Sequence, residues 1–325
     1  MIAYSYAEKY SNQVKKMKLV PRCYVCQINR IISEIELAHC SHEEKFEAIH
    51  KVLEFYDGQK DTNSAQVGTD VREIIAEITQ DANPYKQIKT KENQFALSQL
   101  PPFRTRLSSL LTEYSAHNPS KVKEFRQYWL ELIFRAAIIG NMMEYFMLEH
   151  SFEQQELLDY LDHEHFTLND TKAVYEILKD AEQVLILTDN AGEIAFDRLM
   201  SEQLKELFPS LKIIVAVKES PVINDATMED AMEVGLDEAV DQLMTTGTNS
   251  VGLLFDRTSE EFREIWGAVD LVIAKGMGHY ETFIEDYSYL KCPLVHLLRV
   301  KCSSVAESVG VPRGKNVVKL VNPPN

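Results

Sequence analysis

The segment that decides the fold is Val184-Leu-Ile-Leu-Thr-Asp-Asn-Ala-Gly-Glu193. Its apolar run ends abruptly at Asp189 and Asn190, a glycine follows, and a helix-like pattern then resumes. We interpret this pattern as a buried strand that delivers two oxygen-bearing side chains to the carboxyl edge of a sheet. Because ligands of open α/β sheets bind in the crevice outside that edge, the segment predicts an enzyme with its site there.

Composition narrows the class of partner. The 325 residues, of which 45% are hydrophobic, are sufficient for a large core. The formal net charge is −16, from 50 acidic and 34 basic residues, so the chain repels nucleic acid and anionic membranes. The sequence has no apolar run of transmembrane length, and its N-terminus lacks the apolar core of a signal peptide. We therefore expect a cytoplasmic protein without a nucleic-acid or membrane partner.

The two halves of the chain have different periodicities. Residues 1 to about 175 are predicted to be helical, with a break at Pro101-Pro102 and a long helix at 122–148. Short β-rich runs follow at 184–188, 211–217, 271–274 and 294–300, separated by helix-like stretches at 194–207, 225–233 and 259–266, the last with Ser259 as its N-cap. This alternation predicts parallel strands with crossover helices. We place the boundary near residue 170, which gives a helical domain at 1–170 and an α/β domain at 171–325.

Acidic and amide side chains follow two successive predicted strands. Asp189 and Asn190 are hard oxygen donors of the kind that Mg²⁺ and Mn²⁺ prefer, and Asp225 follows the next strand. Together they would give a divalent ion two negative charges and leave open coordination positions, as a catalytic metal requires. The alternative is that these residues only cap the helices that follow, because Asp and Asn are favoured capping residues.

A third strand end lies at Lys275-Gly-Met-Gly-His-Tyr280. Glycine lets backbone N–H groups approach an anion, and lysine adds a positive charge. On the same edge as the two acidic segments, Lys275 and Gly276 predict a phosphate-binding site. His279 and Tyr280 would then line the substrate pocket. A plain turn and a buried histidine are the alternatives.

The five cysteines are expected to be reduced. Cys23 and Cys26 form a single Cys-x-x-Cys pair in a region predicted to be helical, and a structural zinc site usually needs a second pair. We predict structural burial for this pair, with a metal or redox role as the alternative.

With these residues in view, the chain resembles the damage-control phosphatase family, formerly the domain-of-unknown-function family eighty-nine, which includes the acidic-residue methyltransferase-like proteins. The resemblance covers nearly the whole chain. It rests on the segments 23–26, 83–86 with Asn93, 140–141 with Glu144, 188–194 with Asp197, 218–225, 270–280 and 297–302. The Cys-x-x-Cys pair and the later Lys-Cys resemble the prokaryotic-type subfamily.

The resemblance implies a helical N-terminal region packed on a doubly wound, mostly parallel, Rossmann-like α/β domain. It also implies that Asp189, Asn190 and Asp225 bind one divalent metal ion, such as Mn²⁺, Co²⁺, Ni²⁺ or Mg²⁺. In the same way it implies that Lys275 binds phosphate.

The chain departs from the family pattern at three places. It has Asn83 where Asp is common, Glu144-Tyr145 where Asp-Phe is common, and His279 where Asn is common. These departures bear on substrate contacts and leave the implied metal ligands intact.

The activity implied is hydrolysis of a phosphomonoester of a small metabolite, such as a sugar phosphate, a phosphorylated cofactor precursor or a damaged metabolite. Glu193 or Asp197 would orient or deprotonate the attacking water, and the sequence does not choose between them. Asn141 and Glu144 would reach the site from the helical domain, which would act as a lid or specificity element. The remaining candidates for substrate or phosphate binding are Gly192, Lys218, Gly276 and His279.

Three other functions stay open. A haloacid-dehalogenase-type phosphatase needs an acid two residues after its nucleophilic Asp, where this chain has Ala191. An S-adenosylmethionine-dependent carboxyl methyltransferase is a second option, although no clear Gly-x-Gly-x-Gly loop follows the first predicted strand. A non-catalytic metal-binding regulatory protein on the same fold is the third. The sequence leaves the substrate, the native metal and the oligomeric state open.

Overall fold

The computed structural model describes residues 19–57, 59, 63–141 and 154–324. Within these ranges, the helices before the first strand are α1 (Pro21–Leu37), α2 (His42–Tyr56), α3 (Ser64–Thr79), α4 (Lys86–His117), α5 (Val122–Gly140) and α6 (Gln154–His163). Local signals set the starts of two of them. The Ser41 hydroxyl accepts from the Glu44 N–H at 3.3 Å while Glu44 accepts from the Ser41 N–H at 2.7 Å, which is a capping box. Asn63 caps α3 by accepting from the Gln66 N–H at 2.8 Å.

The second part of the described chain is built on a seven-stranded sheet. Its strands are β1 (Phe166–Asn169), β2 (Gln183–Leu187), β3 (Lys212–Val217), β4 (Gln242–Thr245), β5 (Leu271–Lys275), β6 (Leu294–Arg299) and β7 (Asn316–Val321). The connecting helices are α7 (Thr171–Leu178), α8 (Glu193–Leu207), α9 (Met228–Glu233), α10 (Glu260–Ala268), α11 (Gly276–Phe283) and α12 (Ser303–Val309), with a 3-10 turn at Phe255–Arg257.

Apolar cores cover both faces of the sheet. Successive residues of a strand point to opposite faces and so contribute to different cores. Val184 and Ile186 of β2 lie in a core shared with α4, α5 and α8. Leu185 and Leu187 face the opposite side, where Trp266 of α10 is buried. The predicted fold class, a helical N-terminal region on a doubly wound, mostly parallel α/β sheet, is confirmed.

The order of the strands creates a switch point between β2 and β5. The order is β1-β7-β6-β5-β2-β3-β4, and β6 and β7 form the antiparallel pair in an otherwise parallel sheet. From β2 the chain proceeds outward to β3 and β4, whereas from β5 it proceeds the other way to β6 and β7. Open α/β sheets bind ligands at the carboxyl ends of the strands where the order reverses, which here are β2 and β5.

The predicted break at Pro101-Pro102 is wrong, because α4 runs through both prolines. A proline removes an N–H donor and crowds the preceding turn, at a cost of about 3 kcal/mol in a helix interior. Phe103 follows directly, is fully buried, and meets Phe196 of α8 edge-on with ring centroids 5.1 Å apart. Packing against α8 therefore outweighs the local signal to break.

The short outer strands are the other difference from the sequence prediction. β1 contradicts the prediction that residues 1 to about 175 are helical, and the pattern does not predict β4 or β7. β1 and β4 have four residues each and are partly exposed, so neither produces a long apolar run.

Several local predictions are confirmed. β2, β3, β5 and β6 lie where the β-rich runs place them, and the Ser259 hydroxyl caps α10 by accepting from the Phe262 N–H at 3.2 Å. The helix predicted at 122–148 is confirmed as far as Gly140, and 142–153 lie outside the described residues. The domain boundary near residue 170 remains a prediction. Among the described helices, none combines the length and the apolar composition needed to cross a membrane.

The contact between α4 and α8 predicts the effect of removing Phe103. Phe103→Ala leaves a cavity against Phe196 and should lower the free energy of unfolding by about 3–5 kcal/mol, measured by urea denaturation. Leu53, 47% exposed on α2, is the control, and Leu53→Ala should stay within about 0.5 kcal/mol of the wild type. Equal losses in the two variants would contradict the packing argument.

Candidate active site

The loops that follow β2 and β3 are joined through their backbones. The Ala226 N–H donates to the Asp189 carbonyl at 2.8 Å, and the Ala191 N–H donates to the Asn224 carbonyl at 2.8 Å. Asn190 and Asp225 form an antiparallel bridge between these bonds. The structure thus brings the two acidic strand ends predicted from the sequence side by side.

These acidic and amide residues do not cap the following helices. The N-cap of α8 is Gly192, and α8 has no side-chain cap. The N-cap of α9 is Thr227, whose capping box is completed by Asp230. The capping alternative is therefore wrong for the predicted metal ligands.

Gly276 shapes the space around Asp189. It is the first residue of α11, and its φ of +78° belongs to the left-handed region that favours glycine. A Cβ atom at this position would overlap the Asp189 carboxylate. The carboxylate from β2 therefore occupies the space that a side chain after β5 would need.

Two asparagines direct their amide groups to Asp189. Asn141 Nδ2, at the C-terminal end of α5, donates to Asp189 Oδ2 at 2.9 Å and to Glu193 Oε2 at 2.7 Å. Asn190 Nδ2 donates to Asp189 Oδ2 at 2.9 Å. Burial raises the pKa of Asp189 to about 8, with further contributions from Glu193 and Asp225. Several buried carboxyl groups therefore lie close enough together to disfavour the charged form of Asp189.

Lys275 lies at the end of β5 and is fully buried. Its ammonium is 2.6 Å from Glu193 Oε1 and also donates to Asp197 Oδ1. Burial alone would lower the pKa of Lys275, but the two carboxylates more than offset this and raise it. Burial raises the pKa of Asp197 to about 7, although the neighbouring lysine opposes this effect. Lys275 is thus the positive centre of a buried ionic cluster.

Lys218 and His279 are two further buried groups that contact Asp225 and the Lys275 carbonyl, respectively. Lys218 Nζ lies 3.5 Å from Asp225 Oδ2 and donates to the Ser250 and Gly252 carbonyls. Burial lowers the pKa of Lys218 and raises the pKa of Asp225. Burial and the nearby lysine lower the pKa of His279 to about 3, so its ring is neutral. Its Nδ1 lies 2.8 Å from the Lys275 carbonyl and must donate to it, since a carbonyl only accepts.

The structure positions the other predicted site residues as follows. Gly192 lies at the start of α8 with a φ of +71°. Asn141 is buried, and its Oδ1 has no hydrogen-bond partner among the described residues. Glu144 lies outside the described residues, so its predicted approach from the helical region remains a prediction.

Asn93 and Lys89, to which the sequence assigned no role, contact the segments beside the site. Both side chains are buried at the first turns of α4, and Asn93 Oδ1 accepts from the Gly192 N–H at 2.7 Å. A signal was present, since Lys89 and Asn93 continue the helical spacing of the buried positions Ala96, Leu100, Phe103 and Leu107. Polar residues that extend an apolar stripe indicate buried polar contacts.

The predicted structural burial of the Cys-x-x-Cys pair is wrong. Cys26 is exposed, and Cys23 is only partly buried. Cys23 Sγ lies 3.6 Å from Ser304 Oγ, so α1 contacts the first residues of α12. Cys302 is also partly buried.

The candidate metal ligands mix carboxylates with amides. Within the described ranges, no group of three or more His, Cys, Asp or Glu side chains is arranged to hold a metal ion. Asp189, Asn190 and Asp225 instead offer two carboxylates and one amide on bridged loops.

The fold and this geometry define an α/β protein with a buried, charged site at the switch point of its sheet. Residues 19–317 match the model of the damage-control phosphatase ARMT1-like domain, and the chain therefore belongs to that family. The resemblance drawn from the sequence is confirmed, whereas the subfamily suggested by the Cys-x-x-Cys pair remains a prediction.

Similar proteins cover nearly the whole chain. A damage-control phosphatase of Archaeoglobus fulgidus is 31% identical over 310 residues, which are 94% of this chain and 100% of that protein. An uncharacterised protein of Methanocaldococcus jannaschii is 29% identical over 308 residues, covering 94% and 96% of the two chains. The crystal structure of a DUF89 family protein of Pyrococcus horikoshii matches with a TM-score of 0.75 and 26% identity, over 95% of this chain and 100% of that one.

The contact between Gly276 and Asp189 predicts the effect of adding one methyl group. Gly276→Ala combines left-handed strain of about 1–2 kcal/mol with overpacking of about 1–3 kcal/mol. Gly310 is the control, since its φ is +75° but an added Cβ would meet nothing within 4 Å. Gly310→Ala should therefore lose only the strain component, measured by urea denaturation. Equal losses in both variants would show that Asp189 does not fill the space beside Gly276.

Proposed function

We propose that the protein is a divalent-metal-dependent phosphatase that hydrolyses a phosphomonoester of a small metabolite. The observation that carries this proposal is the meeting of Asp189 and Asp225 with the Lys275 cluster at the switch point of the sheet. Membership of the family and the names of its relatives support the same activity. Sugar phosphates and phosphorylated cofactor precursors, including damaged metabolites, are the proposed substrate class.

The residues present fit a divalent cation. Four buried or nearly buried carboxylates lie close to two ammonium groups, so a further positive charge would be stabilised. The carboxylates are those of Asp189, Glu193, Asp197 and Asp225, and the ammonium groups are those of Lys218 and Lys275. Asn141 Oδ1, buried without a partner among the described residues, is an additional oxygen donor. Carboxylate and amide oxygens suit Mg²⁺ and Mn²⁺. Asp189, Asn190 and Asp225 would hold the ion, with Mn²⁺, Co²⁺, Ni²⁺ or Mg²⁺ as the candidates.

When bound, the ion would polarise a phosphate oxygen and offset charge that develops during hydrolysis. Lys275 supplies a fixed positive charge for the phosphate, and its position is set by Glu193 and Asp197. The absence of a side chain at Gly276 leaves room for the Asp189 carboxylate, so the proposed metal ligand lies directly beside the residue that follows Lys275.

Glu193 is the better placed of the two candidate bases. Its Oε2 shares the Asn141 amide with Asp189 Oδ2, so it borders the proposed metal ligand directly. Asp197 lies one helical turn further along α8 and contacts Lys275 from there. We assign the orientation and deprotonation of water to Glu193, and the positioning of Lys275 to Asp197.

Metal removal tests the activity itself. Protein stripped of metal should be inert toward p-nitrophenyl phosphate and regain activity with Mn²⁺, Co²⁺, Ni²⁺ or Mg²⁺, because the carboxylate cluster would be incomplete without the cation. Asp189→Ala should abolish the recovery, while Glu261→Gln, which neutralises an exposed acid on α10, should leave it unchanged. Activity that survives both chelation and Asp189→Ala would remove the metal from the proposal.

The assignment of the base predicts unequal effects of two isosteric changes. Glu193→Gln removes the proton acceptor and should lower kcat by about 10²–10⁴-fold. Asp197→Asn leaves Lys275 paired to Glu193 and should lower kcat by less than that, at saturating substrate and metal. A larger loss in Asp197→Asn would transfer the role of base to Asp197.

The substrate class and the competing functions can be separated by one screen. Metal-loaded protein is assayed against a panel of phosphorylated sugars and cofactor precursors, and S-adenosylmethionine binding is measured by calorimetry. Turnover of a panel member supports the phosphatase. Metal binding without turnover would favour a regulatory protein, and S-adenosylmethionine binding would favour a methyltransferase.

The role of the helical region as a lid or specificity element is part of the proposal.

A further inference from the structure

One side chain of α4 contacts the start of α8, which follows β2, and helix α9, which follows β3. Asn93 is fully buried, and its Oδ1 accepts from the Gly192 N–H at 2.7 Å. Its Nδ2 donates to Asp230 Oδ1 at 3.1 Å and to Glu233 Oε2 at 2.7 Å. Both polar atoms of this amide therefore bond to segments that follow a proposed metal ligand along the chain.

The Asp230 contact leads to the loop that carries Asp225. Asp230 Oδ2 accepts from the Thr227 N–H at 2.8 Å and from the Thr227 hydroxyl at 2.7 Å. This capping box fixes the chain two residues after Asp225. Lys89, one turn before Asn93 on α4, also contacts Asp230 Oδ2 at 2.6 Å. The helix thus holds the Asp225 loop through a buried acid.

The Gly192 contact leads to the loop that carries Asp189 and Asn190. Gly192 is the N-cap of α8, where backbone N–H groups lack partners within the helix. A side chain at Gly192 would press against Glu92 on α4, so helix and loop are in direct contact. Without the Asn93 carbonyl, the buried Gly192 N–H would lose its acceptor.

We propose that Asn93 is a positioning residue for the metal site, which fixes the loop of Asp189 and Asn190 relative to the loop of Asp225. Two backbone hydrogen bonds beside the bridge between Asn190 and Asp225 join the loops to each other, and Asn93 additionally ties each of them to α4. An apolar side chain at this position of the buried stripe would leave the Gly192 N–H and Asp230 Oδ1 without these partners. This inference rests on the proposed metal-dependent function.

Metal affinity is the measurement that tests this role. Asn93→Ala removes both attachments, and the dissociation constant for Mn²⁺ should rise on the order of 10–100-fold, as for other residues that orient metal ligands. Free Mn²⁺ is measured by electron paramagnetic resonance during titration of the full chain. Asn93→Asp keeps an acceptor for Gly192 but cannot donate to Asp230, so its affinity should also fall.

Arg104→Ala is the matched control. Arg104 lies on the same helix and ties α4 to α8 through Glu202 at 2.6–3.1 Å, with no contact to either loop. The Arg104→Ala variant should have a lower melting temperature in a thermal unfolding scan and keep the Mn²⁺ affinity of the wild type. An equal loss of affinity in Arg104→Ala would reduce the effect of Asn93 to general destabilisation and overturn the proposal.

The remaining outcomes separate this role from the function on which it rests. If the wild type binds Mn²⁺ and Asn93→Ala binds it equally well, the positioning role is overturned and the metal site stands. If Asn93→Asp matches the wild type, the link to the Asp225 loop is overturned. If the wild type binds no divalent ion, the metal-dependent function and the role of Asn93 fail together.

Discussion

The site depends on the adjacency of β2 and β5 at the reversal of the sheet. Because these parallel strands are hydrogen-bonded neighbours, the residues that follow them meet, and the Asp189 carboxylate takes the space beside Gly276. β3 lies on the other side of β2 and brings Asp225 next to it. The strand order therefore determines which carboxylates meet, before any side-chain contact is considered.

The charged cluster is better explained by function than by stability. Lys275, Glu193 and Asp197 are almost completely buried, and a buried ion pair often contributes less to stability than apolar residues of similar size. The surrounding sheet and helices supply the apolar packing that holds such a cluster in place. Perturbed pKa values at Asp189 and Asp197 mark the same location, as is common at functional sites.

The sequence predicts what depends on neighbours along the chain. The run from Val184 ends at polar residues, and this pattern alone predicts β2 and the edge at which Asp189 lies. The partners of Lys275 are not predictable in this way, since Asp197 is 78 residues away and only the fold brings them together. The helical spacing of α4 marks Asn93 as buried, but its partner Gly192 is 99 residues away and is not predictable for the same reason. At Pro101-Pro102 the local rule is clear, but packing of α4 overrides it.

The edge strand β1 has a consequence for folding during synthesis. Its parallel partner is β7, and Phe166 pairs with Asn316, while Leu320 N–H donates to Asp170 across 150 residues. On the ribosome, β1 must wait with unpaired backbone groups until β7 emerges, because no earlier strand is its neighbour. Closing so long a loop is slow, and an unpaired strand edge invites pairing with other chains. The interval between the synthesis of these two strands is therefore a period in which β1 can pair with strands of other chains.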